Sequence, residues 1–223
     1  MTEQFVLHGI PGSPYVRTPL LALEEKGLSW RLAAIPMGGN RTPEYRAIHP
    51  FQKIPTLDHG DFRLYETRAI LNYLDRIAPE PALTPADPKK TARMDQLIGI
   101  TDSYLAPRLG GQLTFPRVVA ARFGMPVDEE AVAAAVGPAT EVVDEVARLL
   151  GDQQFMAGDA LSLADLMLAP HLVFLPHFAE GQAILSRHNN LAAWIERMEA
   201  RPSMAATTWD RLNAFVARET IAA

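Results

Sequence analysis

The 223-residue chain contains no cysteine. This absence excludes disulfide bonds, thiolate zinc sites, cysteine-ligated iron–sulfur clusters and a cysteine nucleophile. Any chemistry at this chain must therefore use its own hydroxyl groups, carboxylates or bases, or a thiol that a ligand supplies.

Positive charge is also scarce, since the chain has 21 lysine and arginine residues and 26 aspartate and glutamate residues, for a net charge of −5. A nucleic-acid-binding domain normally carries a surplus or a cluster of cations, so no nucleic-acid partner is expected. The six histidines lack the spacing of a metal-binding pair, and we therefore predict no metal site.

Long apolar runs are missing as well. The longest apolar region, Leu166 to Pro176, is interrupted by His171 and is shorter than the ~20 residues that a membrane span needs. The first residues show no basic segment followed by an apolar one, so no signal peptide is predicted. We expect a soluble, cytoplasmic protein with no membrane partner.

Proline is concentrated in one stretch, residues 79–88, which holds four prolines. Because proline fixes φ and lacks a backbone donor, neither a helix nor a central strand is expected to cross this stretch. The sequence therefore predicts a linker at 79–88, which joins one domain over 1–78 to another over 89–223.

The first domain is predicted to contain, in order, a strand, a helix, a strand, a loop, a hairpin and a second helix. Ser13 and Pro14 are typical of a helix start, and Gly27 is typical of a helix end. Thr67 is predicted to cap the second helix. This order indicates a small α/β domain of about 80 residues.

The second domain is predicted to be all-helical. Pro138 and Pro170 are expected to kink or break two of its helices. Apolar residues recur there at steps of three and four in four segments, namely 91–106, 129–150, 163–174 and 191–199.

Two segments of the first domain are candidates for binding a ligand through the backbone and a hydroxyl group. Ser13 is predicted at a helix N-terminus, where unpaired N–H groups and the helix dipole favour an anion. The alternative is that Ser13 only caps its helix. Ile54 precedes Pro55 and is therefore extended, so it can present its backbone groups to a peptide-like ligand. The alternative is an ordinary turn.

A third segment pairs an acidic residue with a hydroxyl residue. Glu66 can accept from an ammonium group, while Thr67 at the start of a helix can hold a carboxylate. Ammonium and carboxylate together form the head group of an α-amino acid. The alternative is a charge at the end of a strand beside a helix cap.

The order and spacing of these three segments resemble the glutathione transferase superfamily. In that family a thioredoxin-like N-terminal domain binds glutathione through a hydroxyl or thiol residue near the first helix, a cis-proline motif and an acidic–hydroxyl pair. Ser13, Ile54–Pro55 and Glu66–Thr67 match these positions, with threonine in place of the usual serine. The resemblance implies a thioredoxin-like domain followed by an all-helical domain.

The helical domain also resembles the family, whose Gly-Asp-x-x-Ser-x-Ala-Asp segment matches residues 158–165. Ser162 and Asp165 stand three positions apart, which is the spacing of a capping box. We therefore interpret this aspartate as structural and not as catalytic.

The resemblance implies a serine-type enzyme of the phi- and theta-like branches, because the chain lacks cysteine and has Leu7 and His8 where the tyrosine-type members place their tyrosine. Ser13 would stabilise the thiolate of glutathione, with Tyr15 as the alternative hydroxyl. Arg41 and Lys53 would bind the glycine carboxylate of glutathione. A homodimer and a role in detoxification are also implied.

The electrophile is expected to be a small hydrophobic molecule bound largely by the first long helix of the second domain. The residues predicted to line its pocket are Tyr15, Tyr104, Leu105, Arg108 and Phe115. Two alternatives remain: a non-catalytic relative that binds a ligand or a partner, and a glutathione-dependent isomerase, dehalogenase or peroxidase.

A single serine is sufficient for the predicted activation. With a reference pKa of about 8.5, only about 3% of a free thiol is ionised at pH 7, and lowering that pKa by ~2 units requires about 2.7 kcal/mol. A hydrogen bond to an anion contributes roughly 1.5–3 kcal/mol, and a helix N-terminus adds about 0.3–1 kcal/mol. Pro19, which should bend the same helix, is the feature that would weaken this prediction.

Overall fold

The computed structural model describes residues 4–214. They divide into two compact units: one runs through Leu83 and also includes the described residues from Ala200 onward, and the other is Thr84–Glu199. The predicted fold class, an α/β thioredoxin-like domain followed by a helical domain, is confirmed. The predicted second domain, 89–223, differs from the structure, because Arg201 forms an ion pair with Glu25 and packs with the first unit.

The first unit is built on a four-stranded mixed sheet with the order β2-β1-β3-β4. β1 pairs with β2 in parallel and with β3 in antiparallel fashion, which places Leu7 opposite Leu32 and Leu57. All three leucines are fully buried, so they form the core of the sheet. The strands are β1 (Phe5–Gly9), β2 (Trp30–Ala34), β3 (Thr56–His59) and β4 (Phe62–Tyr65).

Two details of the first unit's helices differ from the prediction. The segment predicted as a loop contains a short helix whose start is capped by the Thr42 side chain. Thr67 is the first residue of its helix, and Glu66 occupies the cap position instead. Between residues 4 and 83 the helices of this unit are α1 (Pro14–Glu25), α2 (Pro43–Ile48) and α3 (Thr67–Ile77), with a 3₁₀ turn at Gly39–Arg41.

A buried ammonium group joins the ends of α1 and α3. The Lys26 side chain is fully buried, and its Nζ lies 2.8 Å from Asp75 Oδ1. The same nitrogen donates to the carbonyl groups of Ala78 and Pro81, at 2.6 and 2.9 Å. A buried charge must be paired and hydrogen-bonded to be tolerated, and these three oxygens meet that requirement.

The second unit is helical, as predicted, but its prolines do not break the helices. Pro138 lies inside α5 and Pro170 inside α6, and both helices continue through them. Every residue of α6 is buried, so its packing outweighs the roughly 3 kcal/mol that an interior proline costs. The segments are α4 (Pro88–Ile100), a helical segment with π-type hydrogen bonding (Thr101–Ala120), α5 (Glu129–Leu150), α6 (Leu163–Leu172), a 3₁₀ turn (Leu175–His177), α7 (Ala179–Leu185) and α8 (Asn189–Glu199).

A capping box begins α6. The carboxylate of Asp165 accepts hydrogen bonds from the Ser162 backbone N–H at 2.9 Å and from the Ser162 hydroxyl at 2.7 Å. It also accepts from Met156 N and Trp194 Nε1. Burial raises the pKa of Asp165 although these four bonds oppose it. All of the aspartate's contacts are structural, since they tie α6 to its preceding loop and to α8.

Among residues 4–214, no helix is both long and apolar enough to cross a membrane. The same residues contain no cluster of three or more side chains suited to hold a metal ion.

His171 makes the stability of the second unit pH-dependent. It is fully buried on α6, and burial lowers its pKa to about 4. The unfolded chain binds a proton near pH 6.5 whereas the folded chain does not, so stability falls as the pH falls from about 6.5 toward 4. We expect this group to remove about 2 kcal/mol of unfolding free energy between pH 7.5 and pH 5.

Denaturant unfolding of His171→Leu at the two pH values checks this expectation. The variant should lose less stability on acidification than the unchanged chain, by about 2 kcal/mol. His177→Gln, at an exposed position, is the matched control and should behave like the unchanged chain. Equal acid sensitivity of His171→Leu and the unchanged chain would contradict the assignment.

Candidate active site

Ser13 lies where β1 gives way to α1, at the N-cap position of that helix. Its backbone is extended, with φ −69° and ψ 127°, and Pro14 follows as the first helical residue. The Ser13 hydroxyl makes no capping bond to the first turn of α1, although Ser13 N donates to Ile10 O at 3.2 Å. The serine is half-buried. Its side chain is therefore not occupied by the capping role that was the alternative prediction.

The second predicted segment precedes β3. The Ile54–Pro55 peptide bond is cis, and Pro55 is buried while Ile54 is half-buried. Gln52, two residues earlier, has φ 54°, and its carbonyl accepts a bond of 2.7 Å from Asn40 Nδ2. This contact connects the segment to the 3₁₀ turn that carries Arg41.

The third segment joins β4 to α3. Glu66 is exposed and has φ 72° and ψ 112°, a backbone conformation that residues with a Cβ rarely adopt. Such conformations cost roughly 1–3 kcal/mol and cluster at functional sites, where the surrounding structure maintains them. Thr67 is buried directly beside it, at the N-terminus of α3. An exposed carboxylate and a helix N-terminus thus lie next to each other.

An aromatic cluster that sequence reasoning missed lies just before the second segment and contacts the end of β4. His49 is almost fully buried, and its ring centroid lies 4.4 Å from that of Tyr65. Its Nδ1 accepts a bond of 3.2 Å from Phe51 N. Burial lowers the pKa of His49, and the nearby Glu66 carboxylate opposes that effect. No local sequence pattern marks this histidine, because the ring that packs most closely against it, that of Tyr65, lies on β4.

The two predicted cations, Arg41 and Lys53, are both exposed. Arg41 ends the 3₁₀ turn, and Lys53 lies in the segment just before Ile54. The cationic side chains are therefore available to a ligand on the surface of the first unit.

Within the second unit, the side chains predicted for the electrophile lie in different surroundings. Leu105 is fully buried in the hydrophobic core of the second unit, which corrects its assignment to a ligand pocket. Tyr104 and Arg108 line a cavity of about 260 Å³ with Glu141, to which Arg108 donates at 2.8 Å. Phe115 lines a different cavity of about 660 Å³, between the Thr101–Ala120 segment and α5. The half-buried Tyr15 lies on α1, in the first unit.

Comparison with known proteins agrees with this geometry. Residues 7–82 match the glutathione S-transferase N-terminal domain, and residues 129–197 match the glutathione S-transferase C-terminal domain. A glutathione S-transferase from Hyoscyamus muticus is 30% identical over 88% of this chain and 94% of its own length. Glutathione S-transferase F10 from Arabidopsis thaliana is 30% identical over 82% of this chain and 86% of its own.

Solved structures show the same similarity. The crystal structure of poplar glutathione transferase F1 superposes with a TM-score of 0.82 at 26% identity, and the match covers 94% of this chain and 99% of that one. The chain therefore belongs to the glutathione S-transferase family and is an enzyme of that family.

The positive φ of Glu66 lowers the stability of the folded chain, so we expect this conformation to serve ligand binding. Glu66→Gly should relieve the unfavourable φ and raise the free energy of unfolding by about 1 kcal/mol, after the extra flexibility of glycine in the unfolded chain is counted. The same change removes the carboxylate, so glutathione should bind about tenfold or more weakly. Chemical denaturation and calorimetric titration with glutathione measure the two effects.

Glu66→Gln is the matched control, because it keeps the Cβ and removes only the charge. It should weaken glutathione binding to a similar degree and leave stability unchanged. If both variants bind glutathione normally, the assignment of Glu66 to the ligand site is wrong. If Glu66→Gly lowers the free energy of unfolding, the backbone at this position is not strained.

Proposed function

We propose that the first unit binds glutathione, and that Ser13 stabilises its thiolate for addition to a small hydrophobic electrophile. The observation that supports this proposal is the position and the hydrogen bonding of the Ser13 hydroxyl. It lies at the N-terminus of α1 and makes no capping bond to that helix. It can therefore donate to an anion at a point where the helix dipole also favours negative charge.

The other predicted residues suit the two ends of glutathione. Glu66 accepts from the ammonium group of the γ-glutamyl end, while Thr67 and the start of α3 bind the adjacent carboxylate. Ile54 pairs its backbone groups with those of the tripeptide, as in strand addition. Arg41 and Lys53, both exposed, bind the glycine carboxylate at the other end.

Activation of glutathione requires only the ionisation of its thiol. On binding, the thiol proton passes to solvent, and the Ser13 hydroxyl donates a hydrogen bond to the resulting sulfur anion. The sulfur lone pair then forms a bond to the electrophilic carbon. In a substitution the displaced electron pair departs with the leaving group, and in an addition it moves onto the neighbouring atom, which takes a proton from solvent. Lowering the thiol pKa by ~2 units takes about 2.7 kcal/mol, which one hydroxyl and one helix terminus supply.

Ser13→Ala should lower turnover at pH 7 by about 10- to 100-fold, because it removes a bond of roughly 1.5–3 kcal/mol to the thiolate. Glutathione affinity should change far less, since the two ends of the tripeptide keep their partners. The loss should shrink as the assay pH rises toward 9, where the thiol ionises without help. Steady-state kinetics with a chromogenic electrophile over this pH range measures the effect.

Tyr15→Phe is the matched control, because it removes the alternative hydroxyl on the same helix and should leave turnover unchanged. Unchanged turnover in Ser13→Ala, or a loss of turnover seen only in Tyr15→Phe, would show that Ser13 does not stabilise the thiolate. A panel of electrophiles, isomerisable substrates, halides and peroxides assayed with the same variants shows which reaction the thiolate performs.

We also propose that the chain forms a homodimer through a surface that includes Phe51. This side chain is 68% exposed, and its ring meets those of His49 and Tyr65 edge-on at 6.0 and 6.3 Å. A large apolar ring that is exposed to solvent and packed against neighbouring rings favours contact with a protein partner.

Phe51→Asp should convert a dimer of twice the 24.5-kDa chain mass into a monomer, because the new charge would be desolvated at the interface. Sedimentation equilibrium measures the mass. Phe62→Asp is the control, since Phe62 is 46% exposed and should leave the mass unchanged. A monomeric parent chain, or a dimer that survives Phe51→Asp, contradicts this proposal.

A further inference from the structure

The chain re-enters the first unit after α8 and contacts α1 along its length. Residues 201–209, which we call the C-terminal strap, include the short helix α9 (Pro202–Ala206). The first contact lies at the end of α1, where Arg201 donates two bonds to the Glu25 carboxylate at 2.7 and 2.6 Å. Ser203 donates to the same carboxylate. Burial raises the pKa of Glu25, but the bonds from Arg201 and Ser203 outweigh it and leave that pKa below its usual value.

The second contact lies two turns nearer the start of α1. Arg17 donates from Nη2 to the Met204 carbonyl at 2.9 Å and from Nε to the Thr207 hydroxyl at 3.3 Å. Thr207 is fully buried, and its hydroxyl also donates to Ser203 O. This arginine therefore fixes the middle of the strap to the first turns of the helix that follows Ser13.

The third contact lies at the start of α1. The indole ring of Trp209 packs against Gly12 so closely that a Cβ at position 12 would overlap the ring. Gly12 also has φ +86°, which a residue with a side chain rarely adopts. Two independent features thus require glycine here, and the next peptide along the chain carries Ser13.

The order of these contacts shows that the strap runs antiparallel to α1. Residues 201 and 203 meet Glu25, residues 204 and 207 meet Arg17, and Trp209 meets Gly12. Trp209 contacts Gly12, the residue directly before Ser13, whose hydroxyl is proposed to stabilise the thiolate.

We propose that Trp209 is a positioning residue for the reaction: its indole holds the Gly12–Ser13 peptide so that the Ser13 hydroxyl stays aimed at the glutathione sulfur. The inference rests on the proposed role of Ser13. An activating hydrogen bond loses strength steeply with misalignment, so a looser peptide at Gly12 weakens activation without removing any group that binds glutathione.

The direct readout is the pKa of the thiol of bound glutathione, followed by the ultraviolet absorbance of the thiolate. Trp209→Ala should raise that pKa by about one unit and lower kcat at pH 7 by about threefold, with glutathione Kd changed less than about twofold. Trp209→Phe keeps an aromatic ring over Gly12 and should retain most of the activity. Trp30→Phe, a change at the half-buried tryptophan of β2, should alter neither quantity.

A double-mutant cycle separates positioning from general stabilisation. If Trp209 acts through Ser13, Trp209→Ala should have almost no further effect on kcat in the Ser13→Ala background. The inference is wrong if the losses in kcat of the two single variants multiply in the double variant. It is also wrong if Trp209→Ala lowers the melting temperature and leaves the thiol pKa unchanged. A Ser13→Ala variant whose bound thiol keeps its pKa would instead overturn the proposed function itself, so the two failures are distinguishable.

Discussion

The buried ammonium group of Lys26 is the interaction on which the first unit depends most. One charge gathers the Asp75 carboxylate and the carbonyl groups of Ala78 and Pro81, so the end of α1, the end of α3 and the start of the proline-rich stretch meet at one atom. Removing one partner would leave a buried charge uncompensated, at a cost of about 3–5 kcal/mol. The position of α1, and with it that of Ser13, follows from this fixed end.

Two glycines precede the start of α1, and each is packed so closely against another residue that a side chain would not fit. Gly9, the last residue of β1, lies so close to Val16 that a Cβ would overlap it, and Gly12 is packed in the same way against Trp209. The turn between sheet and helix is therefore tightly enclosed. An active hydroxyl placed on such a turn needs little reorganisation when charge develops on the sulfur, which is the condition for effective electrostatic stabilisation.

Local patterns predicted the parts of the site that depend on neighbouring residues. The Ser13–Pro14 helix start, the Gly27 helix end and the predicted hairpin, formed by β3 and β4, all appear in the structure. The positive φ of Glu66 was not predictable, because an acidic residue gives no local signal for that conformation. Nor was His49, whose ring packs against Tyr65 at the end of β4.

The prolines show the limits of local rules in a different way. The boundary between the two units falls between Leu83 and Thr84, inside the proline-rich stretch. Pro138 and Pro170 do not end their helices, because the packing of the helical unit outweighs the local cost of proline. The C-terminal strap was assigned to the wrong unit for a similar reason. Its helical pattern is like that of the preceding residues, whereas its partners, Glu25, Arg17 and Gly12, lie near the beginning of the chain.

The pKa of the glutathione thiol in the binary complex tests the central claim most directly. An absorbance titration of the thiolate should give a value about two units below the free thiol's pKa of roughly 8.5 for the unchanged chain, and a value near that of the free thiol for Ser13→Ala. Equal pKa values in the two proteins would contradict the account, because the Ser13 hydroxyl would then contribute nothing to the ionisation of the bound thiol.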